Sequence, residues 1–247
     1  MKRLRRVTEP EVIAEFLKNE FYQGEFHRDR DAFERLVIEA DITNERENAL
    51  RRALLFRRRG HMWRELPADT HWWQVEFEGE DLNLVRVFPR AQWRRVSDGS
   101  YQLTDIAQRI KTGKFPGKTR EFVAKVLSLS YRLRNGRDSS TVLLIGIDES
   151  KPVTILEGNH RLTAAMLASP ELLRTRFRML CGFSPRMSES CWYETNFANL
   201  WRYAQHRFRN LVYDPDADVQ RVLDQLTRGD SALDATVGSR KVIPGSK

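Results

Sequence analysis

The pattern of hydrophobic and polar positions predicts helices at both ends of the chain and a few short strands between them. Apolar residues recur at helical spacing in several segments, with Thr8 and Asn44 as N-caps and Gly24 and Gly60 as stops; the expected helices cover 8–24, 33–40, 44–60, 101–112, 121–133, 188–213 and 217–227. Short β-branched or alternating runs predict strands at 72–77, 82–88, 142–147, 153–156 and 177–182. The fold class is therefore α/β (α+β), a small mixed sheet with flanking helices.

These elements suggest a core with extensions on both sides. We expect a helical N-terminal extension over residues 1–80, a core over 81–187, C-terminal helices packed on that core over 188–229, and a disordered tail over 230–247. Within the C-terminal helices, the large apolar side chains are expected to be buried: Trp192, Phe197, Leu200, Trp201 and Phe208.

The stretch 153–167 has the strongest functional signal. A strand-length apolar run breaks at Glu157-Gly158-Asn159 and continues as a helix pattern with Leu162 and Ala165 on one face. A helix that starts directly after a strand and a glycine presents free backbone N–H groups and a positive dipole end. His160 and Arg161 lie in its first turn, where cations weaken a helix. A bound phosphate accounts for them, although a surface His-Arg pair is the plainer alternative.

Charge and cysteine content narrow the function classes. The chain has 42 Lys and Arg against 34 Asp and Glu, a net charge of +8, which favours an anionic partner such as a nucleotide or a nucleic acid. Cys181 and Cys191 provide no disulfide framework, and the five histidines lack metal-ligand spacing. The low cysteine content indicates the reducing cytoplasm. No apolar run has the ~20 residues of a membrane helix, so we expect no membrane partner.

An arginine-rich helix is the best nucleic-acid candidate. The predicted helix over 44–60 has six arginines between residues 46 and 59, on the faces that are not apolar. Arg51, Arg52 and Arg58 are the candidates for contact with a nucleic acid phosphate backbone. The competing interpretation is a solvated helix face whose charges are paired with nearby carboxylates.

The order of parts in residues 82–182 resembles the ParB/sulfiredoxin superfamily. Gly158-Asn159-His160-Arg161 is similar to the Gly-Cys-His-Arg box of sulfiredoxins, to the Asp-Gly-His-Thr-Arg box of ParB-fold free-serine kinases and to the Gly-Glu-Arg-Arg box of ParB CTPases. Asn159 stands where sulfiredoxins have their catalytic cysteine and where the CTPases have a glutamate, and the helix-turn-helix of ParB is not evident. Sulfinic acid reduction and centromere binding are therefore not expected.

The resemblance implies a bound ATP or another nucleotide with Mg²⁺. It implies that the phosphates are held by Gly158, Asn159, His160 and Arg161, with Thr163 in the same helical turn as a further contact. Glu157 matches the acidic residue of the serine-kinase box and is the candidate for acceptor activation or Mg²⁺ binding, with His160 and Asn159 as the other candidate catalytic residues. Gln102 and Asp105, on the helix after the first core strand, are expected near the cleft.

Three functions follow. The first is a nucleotide-dependent enzyme, a kinase or NTPase, that transfers a phosphoryl or other group to a small molecule or protein. The second is a nucleic-acid-binding protein or nuclease that uses the arginine-rich helix. The third is a non-catalytic, nucleotide-gated interaction module. Turnover separates the first from the third, and steep salt dependence of DNA or RNA binding indicates the second.

Overall fold

A computed structural model describes residues 1–136, 140–212 and 214–225. The described residues form one mixed sheet of six strands in the order β1-β2-β6-β4-β5-β3, flanked by helices. The strands are β1 (Lys2–Val7), β2 (His71–Glu76), β3 (Val85–Val87), β4 (Ser140–Gly146), β5 (Val153–Glu157) and β6 (Phe177–Phe183). The α/β class with flanking helices is confirmed.

The central strands lie where the apolar runs over 142–147, 153–156 and 177–182 predict strands. β4 and β5 form an antiparallel hairpin, and β6 runs parallel to β4 on its other side. The short β3 runs parallel to β5, which brings the residues after β3 next to the start of the helix that follows β5. All of β4 after its first residue is buried, because both faces of the sheet are covered.

The alternation along β4 divides the interior into two cores. Val142 and Leu144 point into one core, and Leu143 and Ile145 point into the other on the opposite face. The helices α1 (Glu9–Glu20), α2 (Arg30–Ile38) and α3 (Glu45–Trp63) contribute to the second core. The first core is covered by α4 (Ala91–Ser97), α5 (Leu103–Thr112), α6 (Gly117–Asn135), α7 (Asn159–Ala168) and α8 (Pro170–Thr175).

The segment 1–80 is not purely helical, contrary to the sequence-based expectation. β1 is an edge strand that pairs antiparallel with β2, and β2 pairs with β6 of the predicted core, so one sheet includes both segments. Periodicity did not indicate β1, because five of its six residues are exposed and four are basic. Its arginines are paired outside the sheet, Arg3 with Glu149 and Arg5 with Glu11. Charged side chains of this kind also protect an edge strand from further pairing.

Several boundaries differ from the predicted ones. Residues 79–84 form a 3-10 helix, so the strand predicted over 82–88 is only the three residues of β3. α4 and α8 were not predicted, because each is too short to show helical periodicity. Residues 219–225 are helical, within the helix predicted over 217–227. The tail over 230–247 lies outside the described residues.

The long C-terminal helix starts later than predicted, and its apolar face points to solvent instead of to the core. Residues 187–189 form a 3-10 turn, and α9 (Phe197–Val212) begins after Asn196, whose side chain accepts a hydrogen bond from Asn199 N at 2.9 Å. Trp192 is buried as expected. The expectation of buried side chains is wrong for Phe197, Leu200, Trp201 and Phe208, which are exposed. In the part of the chain that the structure describes, no helix has the length and apolar character needed to span a bilayer.

Candidate functional site: a polar cleft at the start of α7

The predicted phosphate motif lies in the wall of a large cleft. The cleft has a volume of about 1020 Å³ and lies between α1 and the turn after it on one side and α6 and the β5–α7 junction on the other. That volume is at the upper end of the ~300–1,000 Å³ typical of small-molecule sites. Of the predicted residues, the structure brings Glu157, Gly158, Asn159, His160 and Arg161 together in this wall.

Gly158 makes the strand-to-helix junction possible. Its backbone has φ 100° and ψ 15°, in the left-handed region that other residues rarely adopt. A Cβ at this position would also lie 3.1 Å from Val142 Cγ2 of β4. The junction therefore requires glycine for two reasons, conformation and space. Because of this turn, α7 begins at the cleft, and the first residues of the helix line its wall.

Glu157 is the centre of a hydrogen-bonded cluster that joins α1 to α7. Its Oε2 accepts a hydrogen bond from Asn19 Nδ2 at 2.9 Å and a short one from Arg161 Nη2. Arg161 Nη1 in turn donates to Asn19 Oδ1 at 2.8 Å. The amide of Asn19 thus contacts both charged groups. Arg161, predicted as a phosphate ligand, has its guanidinium partly committed to holding Glu157.

The pKa of Glu157 lies near neutral pH. Burial raises the pKa of Glu157 from its ordinary 4.5 to about 7, and the charge of Glu20 adds to the rise. The guanidinium of Arg161 and the amide of Asn19 lower it, but they do not outweigh the desolvation. A buried carboxylate with this pKa can accept or release a proton at neutral pH, which is the property that general acid–base chemistry needs.

This shift predicts a pH dependence of stability. Because the folded-state pKa of Glu157 (about 7) lies above the ordinary 4.5, the folded protein binds the extra proton between these pH values, and stability falls as pH rises through that interval. We expect Glu157→Gln to remove this contribution. Urea unfolding at several pH values should show that the free energy of unfolding of the variant, relative to wild type, increases from pH 4.5 to 7. A constant difference would contradict the raised pKa.

His160 lies beside two aromatic rings and is exposed in the wall of the cleft. Its ring centroid is 5.3 Å from that of Trp93 and 5.2 Å from that of Phe122. Desolvation lowers the pKa of His160 below its ordinary 6.5, and the charge of Glu20 opposes the shift without reversing it. A neutral imidazole in this position can donate or accept a hydrogen bond, but it adds no positive charge for phosphate at neutral pH.

Asn159 has a structural role in the described chain. Its Oδ1 accepts a hydrogen bond from Phe88 N at 3.2 Å, and its Nδ2 is 3.4 Å from Ile155 O. These contacts fix the end of β3 to the start of α7. Asn159 was predicted to orient an acceptor and to bind phosphate, and its side-chain amide is already engaged in this junction.

Two cations in the cleft were missed by the sequence analysis. Arg90 and Lys125 line it, and within the described ranges neither forms an ion pair with a carboxylate. The guanidinium of Arg90 lies 4.6 Å from the ring centroid of Trp192, and desolvation, with the charge of Arg59, lowers the pKa of Arg90. Arg59 differs, because it is paired with carboxylates of the opposite wall. Both missed cations lie far from the motif in sequence, so only the fold brings them to it.

Three predicted contacts lie elsewhere. Thr163 is fully buried on the inner face of α7, so the expectation that it touches a phosphate is not supported by its position. Gln102 and Asp105 are exposed at the start of α5, where Asp105 accepts a hydrogen bond from the hydroxyl of Ser100. The residues lining the cleft include neither of the two. The prediction rested on the resemblance to the ParB/sulfiredoxin order of parts, in which these residues lie on the helix after the first core strand.

The arginines of α3 are bound to internal partners. Arg51 is 0% exposed and donates to the carbonyls of Leu36 (3.0 Å) and Asp41 (2.5 Å). Arg52 pairs with Glu9 at 2.6 Å. Arg58 pairs with Asp29 at 2.9 Å, which Arg57 also contacts. These side chains tie α3 to neighbouring elements, so this helix offers little free charge to a nucleic acid backbone.

The described residues contain no group of three or more His, Cys, Asp or Glu side chains placed to hold a metal ion. Glu157 was predicted as a possible Mg²⁺ ligand, but its carboxylate already has Arg161 and Asn19 as partners. Magnesium is commonly held by one or two carboxylates together with substrate phosphates. The geometry therefore fits a proton-transferring role for Glu157 better than a metal-binding one.

No protein-family model, curated protein or solved structure matched the chain.

Proposed function

We propose that the cleft binds a nucleotide and that the protein transfers its phosphoryl group, or another group, to a small-molecule or protein acceptor. The observation that carries the proposal is Glu157, a largely buried carboxylate at the wall of the cleft, with a pKa of about 7, directly beside the N-terminus of α7. The combination provides an anion-binding helix end and a proton acceptor within one cleft. The similarity of Gly158-Asn159-His160-Arg161 to the ParB/sulfiredoxin phosphate box agrees with it.

The phosphates would lie against the first turn of α7. Backbone N–H groups of the 158–160 segment would face them, and Arg90 and Lys125 would provide the positive charge that His160 lacks when neutral. The partly exposed ring of Phe122, which packs against the buried ring of Trp93, would offer an apolar surface for the base. Bound Mg²⁺ would neutralise phosphate charge, held mainly by the phosphates themselves.

In this proposal Glu157 is the general base. Its carboxylate would take the proton of the acceptor hydroxyl or of a water molecule, and Arg161 and Asn19 would hold the carboxylate in place. The lowered pKa of His160 leaves its imidazole neutral, available as a hydrogen-bond donor to the acceptor or leaving oxygen. The proposal places the protein in the cytoplasm, where the buried thiols of Cys181 and Cys191 would remain reduced.

Calorimetric titration of ATP, ADP, CTP and GTP with Mg²⁺ tests the proposal through a matched pair of variants. Lys125→Gln removes a cleft cation, and Lys118→Gln removes an exposed cation from the first turn of the same helix α6, outside the cleft. We expect one nucleotide to bind to wild type, and Lys125→Gln to weaken this binding about tenfold or more, since a hydrogen bond to a charged group contributes ~1.5–3 kcal/mol.

Lys118→Gln should bind like wild type. The nucleotide proposal would be wrong if none of the four nucleotides bound, and the assigned site would be wrong if both variants lost the same affinity. Release or transfer of phosphate from the bound nucleotide is then measured directly. Binding without turnover would favour the nucleotide-gated interaction module instead of the enzyme.

A further inference from the structure

α9 buries its polar face and exposes its apolar face. On the buried side, Asn199 Nδ2 donates to the carbonyls of Ser188 and Glu194, both at 2.8 Å. His206 Nδ1 lies 2.7 Å from Glu65 Oε1, whose side chain is fully buried. A surface helix of a monomer normally has the reverse orientation, with its apolar side on the core. Specific hydrogen bonds fix this orientation of α9, so the helix is not simply loosely attached.

The exposed face is large and continuous. Six large apolar side chains contribute to it: Phe197 (86% exposed), Leu200 (47%), Trp201 (62%), Phe208 (68%), Leu211 (72%) and Val212 (67%). At about 150–250 Å² for each large ring and somewhat less for the others, they present roughly 600–800 Å² of apolar surface. The largest patch of a typical monomer is about 300–600 Å². A standard protein interface buries about 800 Å² per partner.

The spacing of these residues is that of a helix-pairing seam. Phe197, Trp201, Ala204, Phe208 and Leu211 follow each other at intervals of four, three, four and three residues. Alternating steps of three and four residues give an average repeat of 3.5 residues, which is the repeat of the residues that pack between two paired helices. Leu200 and Val212 lie beside the seam. In the structure no helix of the described chain covers this face.

We propose that α9 pairs antiparallel with α9 of a second copy of this chain, around a two-fold axis. In the register we infer, Trp201 packs against the small Ala204 of the second copy, and Phe197 packs against its Phe208. Each contact is repeated by symmetry, as a two-fold interface requires. A parallel pair would instead oppose two Trp201 rings and two Ala204 side chains, which crowds one layer and leaves a gap in the next.

The charges on α9 agree with this arrangement. The helix contains three arginine or histidine side chains besides Arg202 and no acidic residue, so a pairing that opposed its arginines would be unfavourable. In the antiparallel register Arg207 lies beside Leu200 of the second copy, and Gln205 lies beside Ala198. Arg202 and Arg209 are on positions that face away from the seam. The second copy is therefore accommodated without opposing like charges.

Analytical ultracentrifugation of the full chain tests the pairing over an about hundredfold range of micromolar concentration. Wild type should sediment with twice the 29.0 kDa chain mass at the upper end. Trp201→Glu and Phe208→Glu should each be monomeric at the concentration where wild type is dimeric. Both side chains are exposed, so these variants should fold, which circular dichroism and the unfolding temperature will confirm. Tyr131→Glu, at a 70% exposed aromatic residue of α6, is the matched control and should remain dimeric.

A cysteine pair tests the register. Residues 198 and 205 of one helix are about 10 Å apart along the axis, too far to form a disulfide with each other. In the antiparallel register Ala198→Cys and Gln205→Cys of two copies come together, so the double variant should give a covalent dimer on mild oxidation, more than either single variant. The native cysteines are both buried. A monomeric wild type would overturn the proposal, whether residues 226–247, a lipid surface or another protein covered the face. A dimer that survived Trp201→Glu would equally overturn it.

Discussion

Glu157→Gln should lower the rate of group transfer by about 10²–10⁴-fold, the range that a positioned general base contributes. Glutamine has nearly the same shape and can still contact Asn19 and Arg161, but it cannot accept a proton. We expect the affinity for nucleotide to change by less than about threefold, because in the proposed mechanism Glu157 acts on the acceptor and does not hold the nucleotide. The measurements are single-turnover rates and calorimetric affinities of the same preparations.

The pH profile gives a second readout of the same change. With a pKa of about 7, Glu157 is increasingly protonated below neutrality, so the wild-type rate should rise with pH up to about 7 and be constant above it. This limb of the profile should be absent from the residual activity of Glu157→Gln.

Glu25→Gln is the matched control. Glu25 also lines the cleft, but it is half exposed and is paired with Arg59. It should retain both the rate and the pH limb. A Glu157→Gln variant with wild-type turnover would exclude Glu157 as the base, even if nucleotide binding at the cleft were established.

The sequence was most informative where a local signal and the tertiary structure agree. The 153–157 strand, Gly158 and the helix after it were predicted because a β-branched run, a glycine and a helix pattern each indicate a local conformation. The strand before these elements, β4, was predicted for the same reason. These elements position the N-terminal end of α7, so the most specific part of the candidate site was accessible from the sequence.

The remaining parts of the site depend on contacts between distant residues. Asn19 lies on α1 and contacts Glu157, 138 positions away in sequence. Arg90 and Lys125 enter the cleft from separate elements, and no local pattern distinguishes them from the other 40 basic residues. The pKa of Glu157 likewise depends on burial by the N-terminal helices, which the motif itself does not encode.

For α9, the periodicity of apolar residues predicted the helix correctly, but it did not predict which face of the helix is buried. Apolar residues at helical spacing predicted the helix, and the same residues were assigned to the interior because burial is the usual fate of such a face. The buried side is instead held by polar contacts of Asn199 and His206, each with a partner from another part of the chain. A hydrophobic stripe therefore identifies a helix, but not the molecule against which its stripe packs.

Gly158→Ala should destabilise the protein by about 2–6 kcal/mol. A residue held at φ 100° costs about 1–3 kcal/mol when it has a Cβ. The added methyl group would also lie 3.1 Å from Val142 Cγ2, and overpacking of this kind in a filled core costs about 1–3 kcal/mol. The free energy of unfolding in urea, with the slope of the transition as a check on two-state behaviour, measures the sum.

A double-mutant cycle separates the two contributions. Val142→Ala removes the methyl groups that oppose the new Cβ, so in this background Gly158→Ala should cost only the conformational part, about 1–3 kcal/mol. The coupling energy between the two positions then reports the steric contact alone. If Gly158→Ala were neutral in both backgrounds, the left-handed junction would not be required, and the start of α7 could not depend on it. If the cost were the same in both, conformation alone would explain why β5 is joined to α7 through glycine.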